Sequence, residues 1–278
     1  MILNILNKVL SLLFGIGCSC YYFYCHQFWT CENILKGIGA GIIFFMFAWL
    51  CIFLLIWLFF LGVALTINTK KEYSRVSKIY YGIFNFWYSY ICSLTGMKIK
   101  VTGLEKMPSG TRFLTVCNHR SNFDNMVQSA VLKHEKIAYI SKIENFRIPF
   151  ACQYMTRALY LPIDRGHPKK ALETITKAIG YINNDIISVG VFPEGSRSKN
   201  CELKRFKAGC LRVAEKTGCP IVVCTIQGTE KVHKNFLWKK TVVNFDILRV
   251  YSTDEVKASS TVKLADEIRE LMLEKLGK

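Results

Sequence analysis

Charge is nearly absent from the first quarter of this 278-residue chain: between Met1 and Thr69 only Lys8, Glu32 and Lys36 carry it. A stretch so poor in ionisable groups cannot form the water-facing surface of a soluble domain. Acidic residues are scarce throughout, 20 against 37 Lys and Arg, which leaves a net charge of +17. No G-x-S-x-G stretch occurs, so the nucleophile elbow of the α/β hydrolases is missing. The twelve cysteines include the run Cys18, Cys20, Cys25 and Cys31 with His26 beside it. That spacing has no matching second pair and fits no zinc pattern, so the thiols read as packing groups. There is no internal repeat, which excludes a solenoid, and no low-complexity linker that would mark a flexible tether.

What fills the uncharged quarter is hydrocarbon. Between Lys36 and Lys70 lie 33 uncharged residues, including IIFFMFAWLCIFLLIWLFFLGVAL. As helix they would extend roughly 50 Å, against a bilayer core of about 30 Å. The run can span with tilt, or turn back near Gly37-Ile38-Gly39-Ala40-Gly41. A second uncharged run, Val9 to Cys31, predicts another membrane helix over about 9–25. A cleaved signal peptide is the alternative for it, disfavoured because one basic residue precedes the core and a longer apolar run follows. Residues 1–70 are therefore expected to be a membrane anchor of one or two helices. Lys70, Lys71, Arg75 and Lys78 follow directly, and by the positive-inside rule they place the remainder on the cytoplasmic face. Residues 71–96 mix eight aromatic side chains from Tyr73 to Tyr90 with basic ones, as an interfacial helix would. A buried helix of the following domain is the alternative.

From residue 97 to 278 the pattern changes to alternating strand-like and helix-like segments. Strands are expected at 98–102, 112–117, 137–141, 159–163, 187–192, 220–227 and 242–250. Helices are expected at 122–133, 145–157, 168–183, 207–217 and 261–276. This alternation predicts an α/β domain with a mixed, mainly parallel sheet flanked by helices. The short apolar runs around Val116 and Val191 suit strands covered on both faces. The basic charge is dispersed and no nucleic-acid motif is present, so anionic lipid or a phosphorylated substrate is the expected partner, not nucleic acid.

Polar motifs sit where strands are expected to end, and in α/β sheets those ends are where sites form. Asn118-His119-Arg120-Ser121-Asn122-Phe123-Asp124 follows the strand ending at Cys117. Ser121 and Asp124 fit a helix capping box. In that reading His119 is a loop residue. The same fold-back would let the Asp124 carboxylate meet the His119 imidazole, leaving the other ring nitrogen to accept a proton from a substrate hydroxyl. Val191-Phe192-Pro193-Glu194-Gly195-Ser196-Arg197-Ser198 follows a second strand and offers either a surface turn or an anion site. Leu161-Pro162-Ile163-Asp164-Arg165 follows a third, with Arg165 a candidate phosphate ligand. Phe206-Lys207-Ala208-Gly209 opens a helix and Pro220-Ile221-Val222 enters a strand.

Their order and spacing, with Ser141-Lys142-Ile143-Glu144-Asn145-Phe146-Arg147-Ile148-Pro149 between the first two, resemble the glycerolipid acyltransferase family. The resemblance covers about residues 97–230 and lies nearest the 1-acylglycerol-3-phosphate (lysophosphatidate) acyltransferases. It implies His119 as general base and Asp124 as its support. It implies acceptor binding by Arg165, with Glu194, Gly195 and Arg197 shaping the site and Lys142 and Lys207 assisting. The implied donor is acyl-CoA or acyl carrier protein, and the implied acceptor a membrane lipid, with no metal and no prosthetic group. Ser196 stands where the family more often has threonine, and Leu161-Pro162 precede Ile163 where a bulkier residue is usual. Glycerol 3-phosphate, another lysophospholipid and an ornithine-type lipid are alternative acceptors. A serine lipid hydrolase through Ser121 or Ser196, or a non-catalytic lipid adaptor, are readings of a different class.

Overall fold

The uncharged quarter folds as two long helices, α1 (Ile2–His26) and α2 (Cys31–Leu65), in a computed structural model describing residues 2–26, 31–198, 200–236 and 238–277. Both are long and apolar enough, by length and composition, to cross a membrane. The first starts earlier than residue 9. The second runs unbroken through Gly37–Gly41, so the chain does not turn back there. The helices lie antiparallel: Asn7 Nδ2 donates to the Trp49 carbonyl at 3.5 Å, and Ser19 Oγ to the Gly37 carbonyl at 3.1 Å. Small residues make the approach close. A Cβ on Gly15 would stand 2.8 Å from the Gly41 carbonyl oxygen, and one on Gly37 would stand 2.5 Å from the Phe23 ring. Packing of this kind joins helices where no hydrophobic effect can.

These helices belong to one compact unit, Met1–Thr66, and the rest of the chain forms a second, Ile67–Lys278. The interfacial helix expected within 71–96 is α3 (Lys78–Leu94), and it folds with the second unit. Its Tyr81, Phe84, Tyr88 and Tyr90 are buried. Phe84 stacks on Tyr154 with centroids 5.5 Å apart. The Tyr81 hydroxyl accepts from the Ile137 N–H at 2.7 Å, and burial pushes its phenol up to about 12. The alternative of a core helix describes these tyrosines.

Chain order then runs β1 (Met97–Thr102), β2 (Leu114–Cys117), α4 (Asp124–Val131), β3 (Ile137–Lys142), α5 (Ala151–Arg157), β4 (Leu161–Ile163) and α6 (Pro168–Asn183). It continues with β5 (Ser188–Val191), α7 (Arg212–Thr217), β6 (Ile221–Gln227), α8 (Val232–Asn235), β7 (Thr241–Tyr251), α9 (Thr253–Lys257) and α10 (Thr261–Leu276). One seven-stranded sheet has the order β1-β7-β6-β2-β5-β3-β4. Every pairing is parallel except β6 with β7. The expected mixed, mainly parallel sheet flanked by helices is what forms. Five strands thus end at one edge, at Gln227, Cys117, Val191, Lys142 and Ile163.

Alternation along the strands divides the core. Val116, Val191 and Val223 face a cluster with Ile175, Val213, Leu264, Ile268 and Met272 from α6, α7 and α10. On the other face Tyr139 lies across β5. A Cβ on Gly190 would stand 2.5 Å from its ring, and its hydroxyl bonds Gln128 of α4 at 3.3 Å. The cysteines described are free thiols. Cys117 and Cys224 pair in register on β2 and β6, and burial raises the Cys224 thiol to about 12, as for a packing group.

Two expected helices differ. The segment 145–157 divides into a 3-10 turn, Ile143–Arg147, and α5. Pro149 keeps Ile148 extended, and Phe150 takes φ 65°. The segment 207–217 opens with a 3-10 turn, Ala208–Leu211, before α7.

Gly103, just after β1, has φ 80°, and a Cβ there would run into the Ile247 carbonyl of β7. Gly103→Ala is expected to cost about 1–3 kcal/mol. Gly110→Ala, also at positive φ but facing open space, should cost less. Denaturation midpoints of the two variants check the difference.

Candidate active site

Where β2 runs out, a side chain continues its ladder. The Asn118 carboxamide accepts from the Ile226 N–H at 2.8 Å and donates to the Ile226 carbonyl at 3.0 Å. His119 follows on this mount. Its N–H donates to Glu194 Oε1 at 2.6 Å, and its carbonyl accepts from the Ser198 N–H at 2.9 Å. The imidazole stacks on Phe192, centroids 4.3 Å apart and planes at 21°. Its Nδ1 meets Asp124 Oδ2 at 2.8 Å. The His119 side chain keeps 22% of its surface exposed, whereas that of Asp124 has none.

Asp124 Oδ2 also accepts from the Arg120 and Ser121 N–H groups at 2.6 and 2.8 Å, and Oδ1 accepts from Thr229 Oγ1 at 2.5 Å. Only the acid half of the expected capping box forms. Ser121 Oγ accepts from the Phe123 N–H at 3.3 Å, two residues along. The helical start is therefore real, and its carboxylate turns backward to the histidine. A buried carboxylate with this many donors is held in a single orientation.

Glu194 is buried, and its two oxygens are taken by backbone amides, His119 N and Lys204 N, the latter at 3.2 Å. It fastens the histidine loop to the chain that follows β5. Burial raises its carboxyl pKa, opposed by those two hydrogen bonds and by the nearby Lys204 charge.

Beside Phe192 opens a pocket of about 310 Å³. Ile140, Ile163, Leu172 and Phe192 line its apolar wall, and Arg165, Lys207 and Arg212 supply its cations. Gly195 is part of the wall because it lacks a side chain: its φ is 68°, and a Cβ would stand 3.1 Å from Lys207 Cε. The fold thus brings Arg165, Gly195 and Lys207 together. Lys142 and Arg197 do not line this pocket. Lys142 pairs with Glu144 at 2.7 Å, and Arg197 is exposed, its carbonyl receiving Lys204 Nζ at 2.7 Å. A larger cleft of about 470 Å³, bounded in part by Lys70, Tyr73, Lys170 and Lys177, has no lining residue in common with the first and does not include Arg165. Among the described residues no His/Cys/Asp/Glu group is arranged to hold a metal ion.

Sequence reasoning missed Thr229, Arg212 and the ladder role of Asn118. Thr229 follows Gly228 at the end of an apolar strand, which is the one signal it offered. Arg212 looks like any helix-surface cation.

Thr229→Val removes the donor to a buried carboxylate and is expected to cost about 1–3 kcal/mol. Thr229→Ser should restore most of it in urea unfolding. For Glu194 the folded pKa lies above the unfolded one, so the folded state binds the proton more tightly. Its contribution to stability therefore rises as pH falls through that raised pKa and is lost as pH climbs back. Comparing unfolding midpoints of wild type and Glu194→Gln from neutrality into the glutamate range should show this slope in wild type alone.

Known proteins are similar to this chain in sequence and in fold. Residues 98–227 match the family model Acyltransferase. A 1-acyl-sn-glycerol-3-phosphate acyltransferase from Brassica napus, chloroplastic, is 29% identical over 201 residues, 72% of this chain and 57% of that protein. The 1-acyl-sn-glycerol-3-phosphate acyltransferase of Salmonella typhimurium is 28% identical over 195 residues, 70% of this chain and 79% of that protein. The chain thus spans little more than half of the plant relative's length. The crystal structure of the 1-acyl-sn-glycerophosphate (LPA) acyltransferase PlsC from Thermotoga maritima shares the fold. Its TM-score is 0.56 at 20% identity, covering 99% of this chain and 96% of that one. By its match to that family model, the chain carries an acyltransferase domain over residues 98–227.

Proposed function

We propose that the chain transfers a fatty acyl group from acyl-CoA or acyl carrier protein to the sn-2 hydroxyl of lysophosphatidate, giving phosphatidate. The observation that carries this reading is the His119–Asp124 pair at 2.8 Å, standing on Phe192 beside a cation-rimmed apolar pocket. With Nδ1–H donated to Asp124, Nε2 is the proton acceptor. It takes the proton of the acceptor hydroxyl as that oxygen attacks the thioester carbonyl. The tetrahedral intermediate collapses, the C–S bond breaks, and the imidazolium returns its proton to the leaving thiolate. Asp124 stabilises the imidazolium between these steps. No nucleophile on the protein is needed, because the thioester is already activated. The neighbouring hydroxyls are otherwise engaged: Ser121 Oγ with the Phe123 N–H, and Ser196 Oγ with Lys204 Nζ at 2.9 Å.

Arg165 is assigned to the acceptor's phosphate, supported by Lys207 across the pocket. Guanidinium suits phosphate by its paired donors. The names of the relatives support a 1-acylglycerol-3-phosphate as acceptor. The basic residues Lys70, Lys71, Arg75 and Lys78 support a cytoplasmic catalytic unit. The two apolar helices support membrane attachment.

Purified protein offered a panel of acceptors with labelled acyl-CoA or acyl carrier protein should form phosphatidate from lysophosphatidate. Transfer to glycerol 3-phosphate alone, or fatty-acid release with no acceptor present, would reject the reading. His119→Ala should lower turnover by about 10²–10⁴-fold, and Ser196→Ala should keep most of it. Arg165→Ala should act chiefly on the KM for lysophosphatidate, with Arg165→Lys recovering part of the loss.

A further inference from the structure

The connection from β6 to β7 returns a stretch that no catalytic role absorbs, Lys231-Val232-His233-Lys234-Asn235-Phe236, then Trp238-Lys239-Lys240. Val232 is fully buried and anchors it. Beyond that anchor, Phe236 is 45% exposed and Trp238 87% exposed, the highest exposure of any large apolar side chain described. Lys231, Lys234, Lys239 and Lys240 are exposed as well. No acidic residue stands between Glu230 and Asp246, so the charge here is of one sign.

A fully hydrated tryptophan needs a reason. Indole with an apolar body and one polar N–H favours the headgroup layer of a bilayer, and lysines beside it are drawn to anionic lipid. The position fits that use. β6 is parallel to β2, with Cys117 opposite Cys224, so the connection leaves the sheet at the edge that carries His119. Its first residue beyond Gly228, Thr229, bonds Asp124 directly. The Trp238 tip therefore projects from the same edge as the base.

We infer that Phe236 and Trp238, with Lys231, Lys234, Lys239 and Lys240, dock the catalytic unit on an anionic phospholipid surface. This contact is separate from the apolar helices α1 and α2. Insertion of the aromatic pair sets the height of the His119 edge above the lipid, and the lysines hold it there. The contact deepens the acyl-transfer reading, on which its purpose rests: an acceptor that resides mainly in the bilayer is met at the bilayer. An acidic protein is the competing occupant for a basic patch. Exposed Phe236 and Trp238 with lysines before and after them in the chain favour lipid, because aromatic side chains suit the headgroup layer and the lysines its anionic groups.

Hydrogen–deuterium exchange of the full chain in lipid nanodiscs tests it. Exchange at residues 232–240 should slow in nanodiscs of phosphatidylcholine mixed with phosphatidylglycerol, compared with phosphatidylcholine alone. Phe236→Ser with Trp238→Ser, or Lys234, Lys239 and Lys240 all changed to Gln, should abolish the difference while β6 and β7 stay protected. The same variants should raise the KM for bilayer-embedded lysophosphatidate at least about fivefold, the contribution expected of one surface lysine. Rates on detergent-dispersed acceptor should be unchanged. Equal exchange in the two lipids overturns the inference. So does protection that appears only when acyl carrier protein is added, which would assign the patch to an acidic protein. The exchange comparison needs no turnover, so a wrong reading of the reaction and a wrong reading of the patch give different results.

Discussion

The Asp124 carboxylate is where the histidine loop, the start of α4 and the end of β6 are tied together. It has no exposed surface. It accepts from His119 Nδ1, two successive backbone amides and Thr229. A buried charge without these donors would be strongly unfavourable. The loop from Asn118 to Phe123 is therefore not free to choose its shape: it must wrap so that its amides face inward. The imidazole orientation follows from that wrapping, and so does the stacking of the ring on Phe192.

A second carboxylate, Glu194, does for the backbone what Asp124 does for the side chain. It holds the His119 amide and the Lys204 amide on its two oxygens. The two loops leave adjacent parallel strands, β2 and β5. Parallel pairing puts both strand ends at one edge, and the buried acid then locks them in register. Because Phe192 both carries the imidazole and lines the pocket, the histidine and the pocket wall share one support.

Much of this was readable in the sequence, and the reasons differ by element. The strands around Val116 and Val191 were visible because both faces are covered, which leaves short uninterrupted apolar runs. His119 and Asp124 were visible as a pair through their spacing, Arg165 through its place after a strand end, and Lys207 through a stretch that opens a helix. Glu194 was singled out, but its partners were not readable, since a sequence does not say whether a carboxylate faces solvent or two amides. The break at Pro149 was written in the chain, yet helical periodicity on either side hid it. Thr229 was beyond reach: its partner lies 105 residues earlier, and only the β2–β6 pairing makes them neighbours. Lys142 and Arg197 carry the charge a phosphate wants, but an adjacent Glu144 claims one and exposure leaves the other outside the pocket.

The Asn118 carboxamide, bonded both ways to Ile226, is in effect one more rung of the central ladder, built from a side chain. A backbone rung at that position would have carried the strand onward and kept the chain flat. The side-chain rung lets the main chain leave the sheet at once while staying fastened to it. The His119 imidazole is thereby borne with one residue between it and a fully buried central strand. Of the walls around the adjoining pocket, Phe192 is thus tied to that fixed imidazole, whereas among the described residues α6 and the Lys207 turn are not joined to it by any such contact.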